Sequence, residues 1–431
     1  MNVMVVQSGD KCSAAGVELT VAPSARNVAV LGHGKDRPAF DADSSHSSIY
    51  VSSPDDQTHS LTRFSQHSPD SPRGTLRVVA EALSLADATT LLEDVRRGYR
   101  TLDGALAQRP LLVVNLDETG QRLRAADALV PPSGWPVVIV GISSAFPAPA
   151  GVPGADILLT DDTNPPAPWV PATEGLDKAL FELDDVVSVR PQACTTLVQV
   201  LRSSERADID SALVIESLGY ASLQGGAEHA SWLSRFDRPG PDREVSPAVL
   251  VDREGPLLRV VFNRPLRRNA YSARMRDELI EALRLAAADE SLTRIVLQGD
   301  GPNFCSGGDL AEFGTVADTA TAHSIRMQRN AGWWVHQVAS KTVAQVHGAC
   351  VGAGVELPAF AGTVSASPDA TFMLPEVTMG LIPGAGGTAS IARRIGRQRT
   401  GWLALTGRTI DARVAADWGL VNEVSPSDRW A

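Results

Sequence analysis

Residues 346–356 read Val-His-Gly-Ala-Cys-Val-Gly-Ala-Gly-Val-Glu, a run of small residues that follows a short apolar, β-branched segment. Small residues let the backbone turn sharply and let a ligand approach the main chain closely. Where such a turn opens a helix, the free N–H groups and the helix dipole favour developing negative charge. The run therefore predicts a strand-to-helix turn that presents backbone donors to a ligand.

A second run of small residues, Phe-Cys-Ser-Gly-Gly-Asp-Leu at 304–310, also follows a predicted strand. Two such turns that converge would supply a pair of backbone donors, the arrangement that stabilises an oxyanion in acyl chemistry. Glu356 closes the first run, and Glu376 lies twenty residues later in Leu-Pro-Glu. Two carboxylates that line one pocket could act there as general acid and general base. Each motif alone also fits an ordinary turn or a solvated carboxylate.

In combination, order and spacing, these motifs and the Gly-Leu-Ile-Pro-Gly-Ala-Gly-Gly run at 380–387 resemble the crotonase (enoyl-CoA hydratase/isomerase) superfamily. The resemblance extends from Leu257 to Val424. It implies that the oxyanion donors are the backbone N–H groups of Gly308 and Ala353. Ala353 stands where the family most often has glycine, which suits a main-chain role if its backbone angles are ordinary.

The same resemblance implies that Glu356 and Glu376 are the catalytic carboxylates of a hydratase. It places Gly384 where the catalytic water and the substrate approach. The coenzyme A arm is expected beside a set of residues near the first small-residue turn: Arg267, Arg268, Ser306, Asp309 and Leu310. Arginine suits phosphate recognition at such positions, and an ordinary solvated side chain fits Arg267 and Arg268 equally well.

Other conspicuous side chains near these motifs are predicted to be structural. Cys305 and Cys350 lie inside the two small-residue runs, where they fit as small apolar fillers and not as nucleophiles. His347 ends a predicted strand before a glycine. Trp333 and Trp334 precede the strand that begins near 343, where helix-to-sheet packing is favoured over a place in an acyl pocket.

Strands and helices alternate along the chain in two series. A Ser-, Asp-, His- and Pro-rich stretch at 38–74 predicts a partly flexible N-terminal segment, 1–74. A Pro-rich linker at 237–247 separates a domain at 75–236 from a catalytic core at 248–431. The predicted elements are strands at 28–31, 76–79, 111–114, 137–140, 156–159, 257–262, 294–297, 343–346 and 363–366, and helices at 85–106, within 175–236 and at 272–288.

The spacing of the strands is similar in the two series. The first two strands begin 35 residues apart in one series and 37 in the other, and the last two begin 19 and 20 apart. The middle interval differs, 26 against 49, which suggests a duplication whose first copy has lost its middle. We therefore predict an α/β protein: a crotonase-like spiral of ββα units in the C-terminal half, and a degenerate α/β crotonase-like N-terminal domain.

Family members normally continue well past the Gly-Leu-Val segment at 419–421, into helices that cover the acyl pocket, whereas this sequence ends at Ala431. Residues 191–236 resemble that tail, with a Glu-x-x-x-Tyr helix and a closing Trp-Leu. We expect this segment to close the pocket of the second half, within the chain or across a subunit interface. The first copy lacks the Gly-Gly-Asp, Gly-x-Glu and Pro-Glu turns, which predicts that it is catalytically silent.

Bulk composition excludes several classes of partner. A net charge of −11 argues against nucleic acid. No apolar run approaches the length of a membrane span, and no secretory signal opens the chain. The four cysteines form no pair or cluster with metal-ligand spacing, so we expect no metal. We expect a cytoplasmic homo-oligomer, trimer or hexamer by family habit, that binds an acyl-CoA substrate and needs no cofactor.

The function that the resemblance implies is that of an enoyl-CoA hydratase or dehydratase. Other crotonase-type reactions use the same oxyanion hole: isomerisation, C–C hydrolysis, decarboxylation and cofactor-free dioxygenation of a CoA thioester. The presence of both glutamates favours hydration. A non-catalytic acyl-CoA-binding protein is the alternative from another class, and the complete motifs of the second half argue against it.

Overall fold

The computed structural model describes residues 82–97, 106, 109–117, 131–144, 154–240, 246–316 and 318–426, together with seven N-terminal strands. The chain divides into two compact units, Met1–Leu83 and Ser84–Ala431. No helix in the described ranges is long and apolar enough to cross a bilayer.

The first unit is described by its strands alone. They are β1 Asn2–Gln7, β2 Lys11–Ala14, β3 Val17–Thr20, β4 Asn27–Gly32, β5 Ser48–Ser52, β6 Thr58–Phe64 and β7 Val78–Ala80. Antiparallel pairs join β1 to β4, β2 to β3, β5 to β6 and β6 to β7. The predicted strands at 28–31 and 76–79 fall on β4 and β7. Most of 38–74 lies outside the described residues, and its flexibility stays a prediction.

The second unit begins with a mainly parallel sheet and a run of helices. The strands are β8 Leu83–Ser84, β9 Leu111–Asn115, β10 Val138–Ser143, β11 Ile157–Thr160 and β12 Val170–Pro171. The helices are α1 Leu85–Arg96, α2 Leu176–Val189, α3 Pro191–Ser204, α4 Ile209–Gln224 and α5 Ala227–Leu233. Strands β9 to β12 pair in parallel in chain order. They read as continuous apolar runs because both faces of the sheet are covered.

The rest of the unit is a spiral of strands and helices around a second sheet. Its strands are β13 Val249–Glu254, β14 Leu257–Phe262, β15 Arg294–Gly299, β16 Thr342–Val346, β17 Ala349–Val351, β18 Thr363–Ala366, β19 Thr371–Met373, β20 Ile410–Asp411 and β21 Glu423–Val424. Its helices are α6 Ala273–Ala288, α7 Thr319–Gln328, α8 Ala331–Gln337, α9 Ala353–Glu356, α10 Gly387–Thr406 and α11 Ala412–Trp418. Short 3₁₀ turns lie at Pro265–Arg267, Leu310–Glu312, Ala339–Lys341, Pro358–Phe360 and Glu376–Met379.

The larger sheet has the order β13-β14-β15-β16-β18-β21, and a smaller sheet has the order β17-β19-β20. All pairs from β14 to β21 in the larger sheet are parallel. The α/β class predicted from the sequence is confirmed, and helix α6 begins after Ser272, whose side chain accepts a hydrogen bond from Met275 N–H. Because β9-β10-β11 repeats the parallel order of β15-β16-β18, the structure is compatible with a duplication, which stays a prediction.

Helix α10 links the two sheets. It is kinked at Gly396 (φ 80°, ψ 156°), and its second segment packs on β11. Arg397 donates to the Ala155 carbonyl at 2.8 Å and pairs with Asp156 at 3.2 Å. Arg202 of α3 pairs with the same carboxylate, and all three side chains of this network are at most 5 % exposed. Breaking such a buried network costs about 3–5 kcal/mol, so it joins the halves firmly.

Candidate active site

The turn at 304–310 is held in place by the segment that follows β14. Ser306 N–H donates to the Arg268 carbonyl at 3.0 Å, and Tyr271 N–H donates to the Gly307 carbonyl at 2.7 Å. Asp309 N–H donates back to the Tyr271 carbonyl at 2.9 Å. These main-chain bonds leave the N–H of Gly308 without an acceptor anywhere in the described ranges. It is therefore free to bind a ligand.

The second small-residue turn runs beside the first. Val351 N–H donates to the Cys305 carbonyl at 2.9 Å, so the two segments pair as short parallel strands. Gly352 then adopts φ 50° and ψ −116°, a conformation that glycine tolerates, and α9 begins at Ala353. Ala353 is helical and buried, and its N–H has no acceptor within the part of the chain that the structure describes. Thus the turns that carry the two predicted oxyanion donors lie side by side.

Glu356 ends α9 and is buried, with 2 % of its surface exposed. Its Oε2 accepts hydrogen bonds from Ala385 N–H and Gly387 N–H, both at 2.8 Å. Burial raises the pKa of this carboxyl well above its ordinary value, and the charges of Glu376 and Glu216 raise it further, while the two N–H bonds oppose the shift. Burial and the neighbouring carboxylates therefore outweigh the two N–H bonds in setting the pKa of Glu356.

Glu376 begins a 3₁₀ turn directly beside the second small-residue turn. A Cβ on Gly352 would lie 2.5 Å from Glu376 Oε1, so only glycine leaves room for this carboxylate. Burial raises the pKa of Glu376 to about 7. Its Oε2 is buried and makes no hydrogen bond to any described residue. An unsatisfied buried oxygen with a pKa near neutrality is suited to exchanging a proton with a bound substrate.

Helices from 191–236 pack over this site within the same chain. A Cβ on Gly384 would lie 2.4 Å from the Tyr220 ring, which places that tyrosine of α4 against the loop after Glu376. His229 Nδ1 is 2.9 Å from the Met379 carbonyl oxygen. The segment that resembles a family tail therefore contacts the carboxylate-bearing elements in cis.

A third buried carboxylate, Glu216 of α4, reaches the same place from that segment. It accepts hydrogen bonds from Gly386 N–H at 2.7 Å and Thr388 N–H at 2.9 Å. Glu216 was not among the site residues predicted from the sequence. The available signal was the Glu-x-x-x-Tyr spacing, which puts Glu216 and Tyr220 on one helix face.

The residues expected to bind the coenzyme A arm lie around the turn at 304–310. Arg268 is exposed, and Arg267 is half-buried and donates to the Gly240 carbonyl at 2.9 Å. Ser306 and Leu310 are half-buried on the turn itself. The side chain of Asp309 is engaged otherwise: it pairs with the buried Arg264 at 2.7 Å and accepts from Ala311 N–H at 3.0 Å. Contact with coenzyme A through any of these residues stays a prediction. The carboxylate of Asp309 stabilises the turn through its bonds to Arg264 and Ala311.

The cysteine, histidine and tryptophan side chains near these motifs are buried or hydrogen-bonded to other parts of the chain. Cys305 and Cys350 are buried, and burial raises the pKa of both thiols, that of Cys305 to about 12. His347 Nε2 is 2.8 Å from the Gly301 carbonyl oxygen. Trp333 donates its indole N–H to Asp210 at 2.5 Å. Within the described ranges there is no group of three or more His, Cys, Asp or Glu that could hold a metal ion.

A ββα spiral with two converging small-residue turns beside paired glutamates defines the crotonase-like class of acyl-CoA enzymes. The family model described as enoyl-CoA hydratase/isomerase matches residues 252–430. A 2,3-dehydroadipyl-CoA hydratase of Escherichia coli (strain K12) is 36% identical over 181 residues, which are 42% of this chain and 70% of the relative. The mevalonyl-coenzyme A hydratase of Beauveria bassiana is 33% identical over 178 residues, 39% of this chain and 64% of the relative.

A solved enoyl-CoA hydratase of Mycobacterium smegmatis is similar to 42% of this chain and 71% of its own, with 30% identity and a TM-score of 0.40. The chain belongs to the enoyl-CoA hydratase/isomerase family. The family membership predicted from the sequence is confirmed, and with it the assignment of the chain to an enzyme superfamily.

Proposed function

We propose that the protein adds water across the double bond of an α,β-unsaturated acyl-CoA, or removes it in the reverse direction. The thioester oxygen accepts hydrogen bonds from Gly308 N–H and Ala353 N–H, which stabilise the enolate that forms. Glu356 takes a proton from the water whose oxygen bonds to the β-carbon. Glu376 delivers a proton to the α-carbon. One proton thus leaves water and one arrives on carbon, so the pair ends with the same number of protons.

One observation carries this proposal: two buried carboxyls with raised pKa values lie beside two small-residue turns, and the N–H groups of Gly308 and Ala353 in these turns have no acceptor among the described residues. Like charges that share a site cannot both ionise easily, so ionisation of one carboxyl favours a proton on the other. A shared proton is what an addition of water needs, since one carboxyl must act as acid and the other as base.

The competing reactions differ in the number of carboxylates they require. An isomerase moves one proton between carbons, and one carboxylate can perform that transfer. The presence of two buried carboxyls, Glu356 and Glu376, favours hydration over isomerisation. C–C hydrolysis, decarboxylation and dioxygenation of a CoA thioester are the alternatives that product analysis distinguishes. A non-catalytic acyl-CoA-binding role would not require a carboxylate oxygen to stay buried and unsatisfied, as Glu376 Oε2 does.

The experiment is to incubate the purified protein with crotonyl-CoA and follow the enoyl-thioester absorbance. Hydration consumes the conjugated double bond, so the absorbance falls. A panel of acyl-CoAs analysed by mass spectrometry then identifies the reaction: hydration adds the mass of water, isomerisation leaves the mass unchanged, and decarboxylation or cleavage lowers it. Binding without any mass change or loss of absorbance across the panel would leave only the non-catalytic alternative.

The remaining expectations are part of the same proposal. The substrate is a CoA thioester, and no cofactor is required because water, two carboxyls and two N–H donors supply every group the reaction uses. We further propose a cytoplasmic homo-oligomer, a trimer or hexamer, which light scattering of the full chain would test. The first copy, the degenerate domain at 75–236 with its helical tail at 191–236, is proposed to be catalytically silent, with no active site of its own.

A further inference from the structure

The N-terminus of helix α10 contacts two buried carboxylates. Glu216 Oε1 accepts from Gly386 N–H at 2.7 Å, and its Oε2 accepts from Thr388 N–H at 2.9 Å and from the Thr388 hydroxyl at 2.7 Å. Glu356 Oε2 accepts from Ala385 N–H and Gly387 N–H. Four successive N–H groups therefore alternate between the two carboxylates.

This alternation ties the position of one carboxylate to that of the other. Neighbouring N–H groups in a turn point in different directions, so the backbone of 385–388 can satisfy both acceptors in only a few conformations. Glu216 comes from α4, 170 residues before Gly386, and its side chain is 2 % exposed. Helix-terminal N–H groups and the helix dipole stabilise a negative charge in this place. Glu216 thus has the partners that an ionised carboxylate requires.

We propose that Glu216 is a positioning residue for the reaction: it fixes the 385–388 turn so that two N–H groups face Glu356, and it places a third negative charge behind the catalytic pair. This inference rests on the proposed acid/base role of Glu356. It gives the segment 191–236 a part in the chemistry beyond covering the pocket.

The charges around Glu216 support this role. Its charge contributes to the raised pKa values of Glu356 and Glu376, after burial in both cases. Burial also raises the pKa of Glu216 to about 7, against the hydrogen bonds from Thr388 and Gly386 and the charge of Arg326. The titratable and charged groups that face Glu216 from the packed elements are Arg326 of α7, Tyr220 of α4, Glu356 and Glu376, with His323 of α7 bound to the neighbouring Ser217 at 2.8 Å.

The test is Glu216→Gln in the full chain. Glutamine has the same size but carries no charge, and it offers one acceptor and one NH₂ donor to a set of donors. The turn then shifts, and a displacement of about 1 Å at a catalytic group costs on the order of 10²-fold in turnover. We expect kcat/KM for crotonyl-CoA to fall by about 10–100-fold. We also expect the pH–rate limb of the carboxyl pair to move to lower pH, because removal of a negative charge makes Glu356 easier to ionise.

Two further variants separate positioning from ordinary helix capping. Glu228 accepts from Gln192 N–H at 2.7 Å and Ala193 N–H at 3.1 Å, so it caps α3 as Glu216 caps α10, in the same segment. Glu228→Gln should lower thermal stability and leave the pH profile unchanged. Glu216→Asp keeps the charge, so it should lower the rate without moving the pH limb, and it serves if Glu216→Gln does not fold. An unchanged pH profile in Glu216→Gln, with a stability loss like that of Glu228→Gln, would overturn the proposal.

A measurement without substrate distinguishes this inference from the proposed function. Infrared difference titration follows the protonation of buried carboxyls as the pH changes, and the band that is lost in Glu356→Gln belongs to Glu356. We expect Glu216→Gln to shift the titration of that band to lower pH. A shift in a protein that transforms no acyl-CoA would refute hydration and keep the coupling. Hydration with no shift of the band would refute the role of Glu216 alone.

Discussion

Substitution of Gly384 by alanine tests the contact between α4 and the loop at 380–387. The new Cβ would lie 2.4 Å from Tyr220 Cδ2 and 2.5 Å from Cε2. Carbon atoms pack comfortably at about 3.5–4.0 Å, so the ring must move by about 1 Å or the loop must retreat by the same distance. The ring cannot move freely, because the Arg326 guanidinium carbon lies 4.6 Å from its centroid. The loop is also held, because Glu216, one helical turn before Tyr220 in α4, accepts a hydrogen bond from Gly386 N–H.

We expect Gly384→Ala to destabilise the fold by about 1–3 kcal/mol, the usual cost of overpacking. Its effect on turnover should be larger, on the order of 10²-fold in kcat/KM, because the loop at 385–387 holds Glu356 and a shift of about 1 Å misplaces it. Chemical denaturation measures the stability change, and loss of crotonyl-CoA absorbance measures the activity.

Gly225→Ala is the matched control. Gly225 also borders α4 but has φ −86°, and the nearest atom to a new Cβ is 3.5 Å away. We expect its stability to change by no more than about 0.5 kcal/mol. The double variant Tyr220→Ala/Gly384→Ala removes the clash between the two side chains. Its loss of unfolding free energy should therefore be smaller than the sum of the losses in the two single variants. Wild-type stability and activity in Gly384→Ala, or additive effects in the double variant, would refute the reasoning.

Three other perturbations test the site and the core. Gly352→Ala should abolish activity, because its Cβ would lie 2.5 Å from Glu376 Oε1; Gly407→Ala, also at positive φ but with no atom closer than 3.8 Å, should retain activity in the same assay. The folded-state pKa of Glu376 is raised from 4.5 to about 7, so the folded protein binds more protons than the unfolded chain between these two pH values. The contribution of Glu376 to the free energy of unfolding is therefore fully present below pH 4.5 and is lost as the pH rises through 7. Glu376→Gln should therefore raise the Tm at pH 8 relative to wild type more than it does at pH 5, and an equal change at both would contradict the raised pKa. Arg397→Ala leaves Asp156 short of one buried cation and should cost about 3–5 kcal/mol in urea unfolding; a loss below about 1 kcal/mol would show that Arg202 alone satisfies the carboxylate.

The local sequence pattern was sufficient to predict several strands and a helix of the catalytic half. The strands at Leu257–Phe262 and Thr363–Ala366 and the helix after Ser272 match the sequence expectation to the residue. Each is defined by information within the element, namely an alternating apolar pattern, bounding turns or an N-cap. Glu356 and Glu376 were predicted from spacing and small-residue context, which reflect backbone geometry.

The rest depends on contacts between distant parts of the chain. The residues around Glu216 have a helical pattern that does not show whether its side chain is buried. Its burial arises from the packing of α4 against the start of α10. Asp309 lies in the motif that predicted a substrate contact, but Arg264, 45 residues earlier, engages its carboxylate. Nothing local distinguishes a carboxylate that binds a ligand from one that braces a turn. Whether 191–236 covers the site in cis was likewise undecidable from sequence, and the structure places its helices against the loop at 379–388.

The most direct test of the acid/base assignment is crotonyl-CoA hydration by Glu356→Gln, Glu376→Gln and the double variant, each first shown to be folded by circular dichroism. Glutamine preserves size and leaves the oxyanion donors in place, so the loss reports proton transfer alone. We predict that each single variant loses on the order of 10²–10⁴-fold in kcat and that the double variant is no more active than either single variant. Hydration at the wild-type rate by the double variant would contradict the assignment.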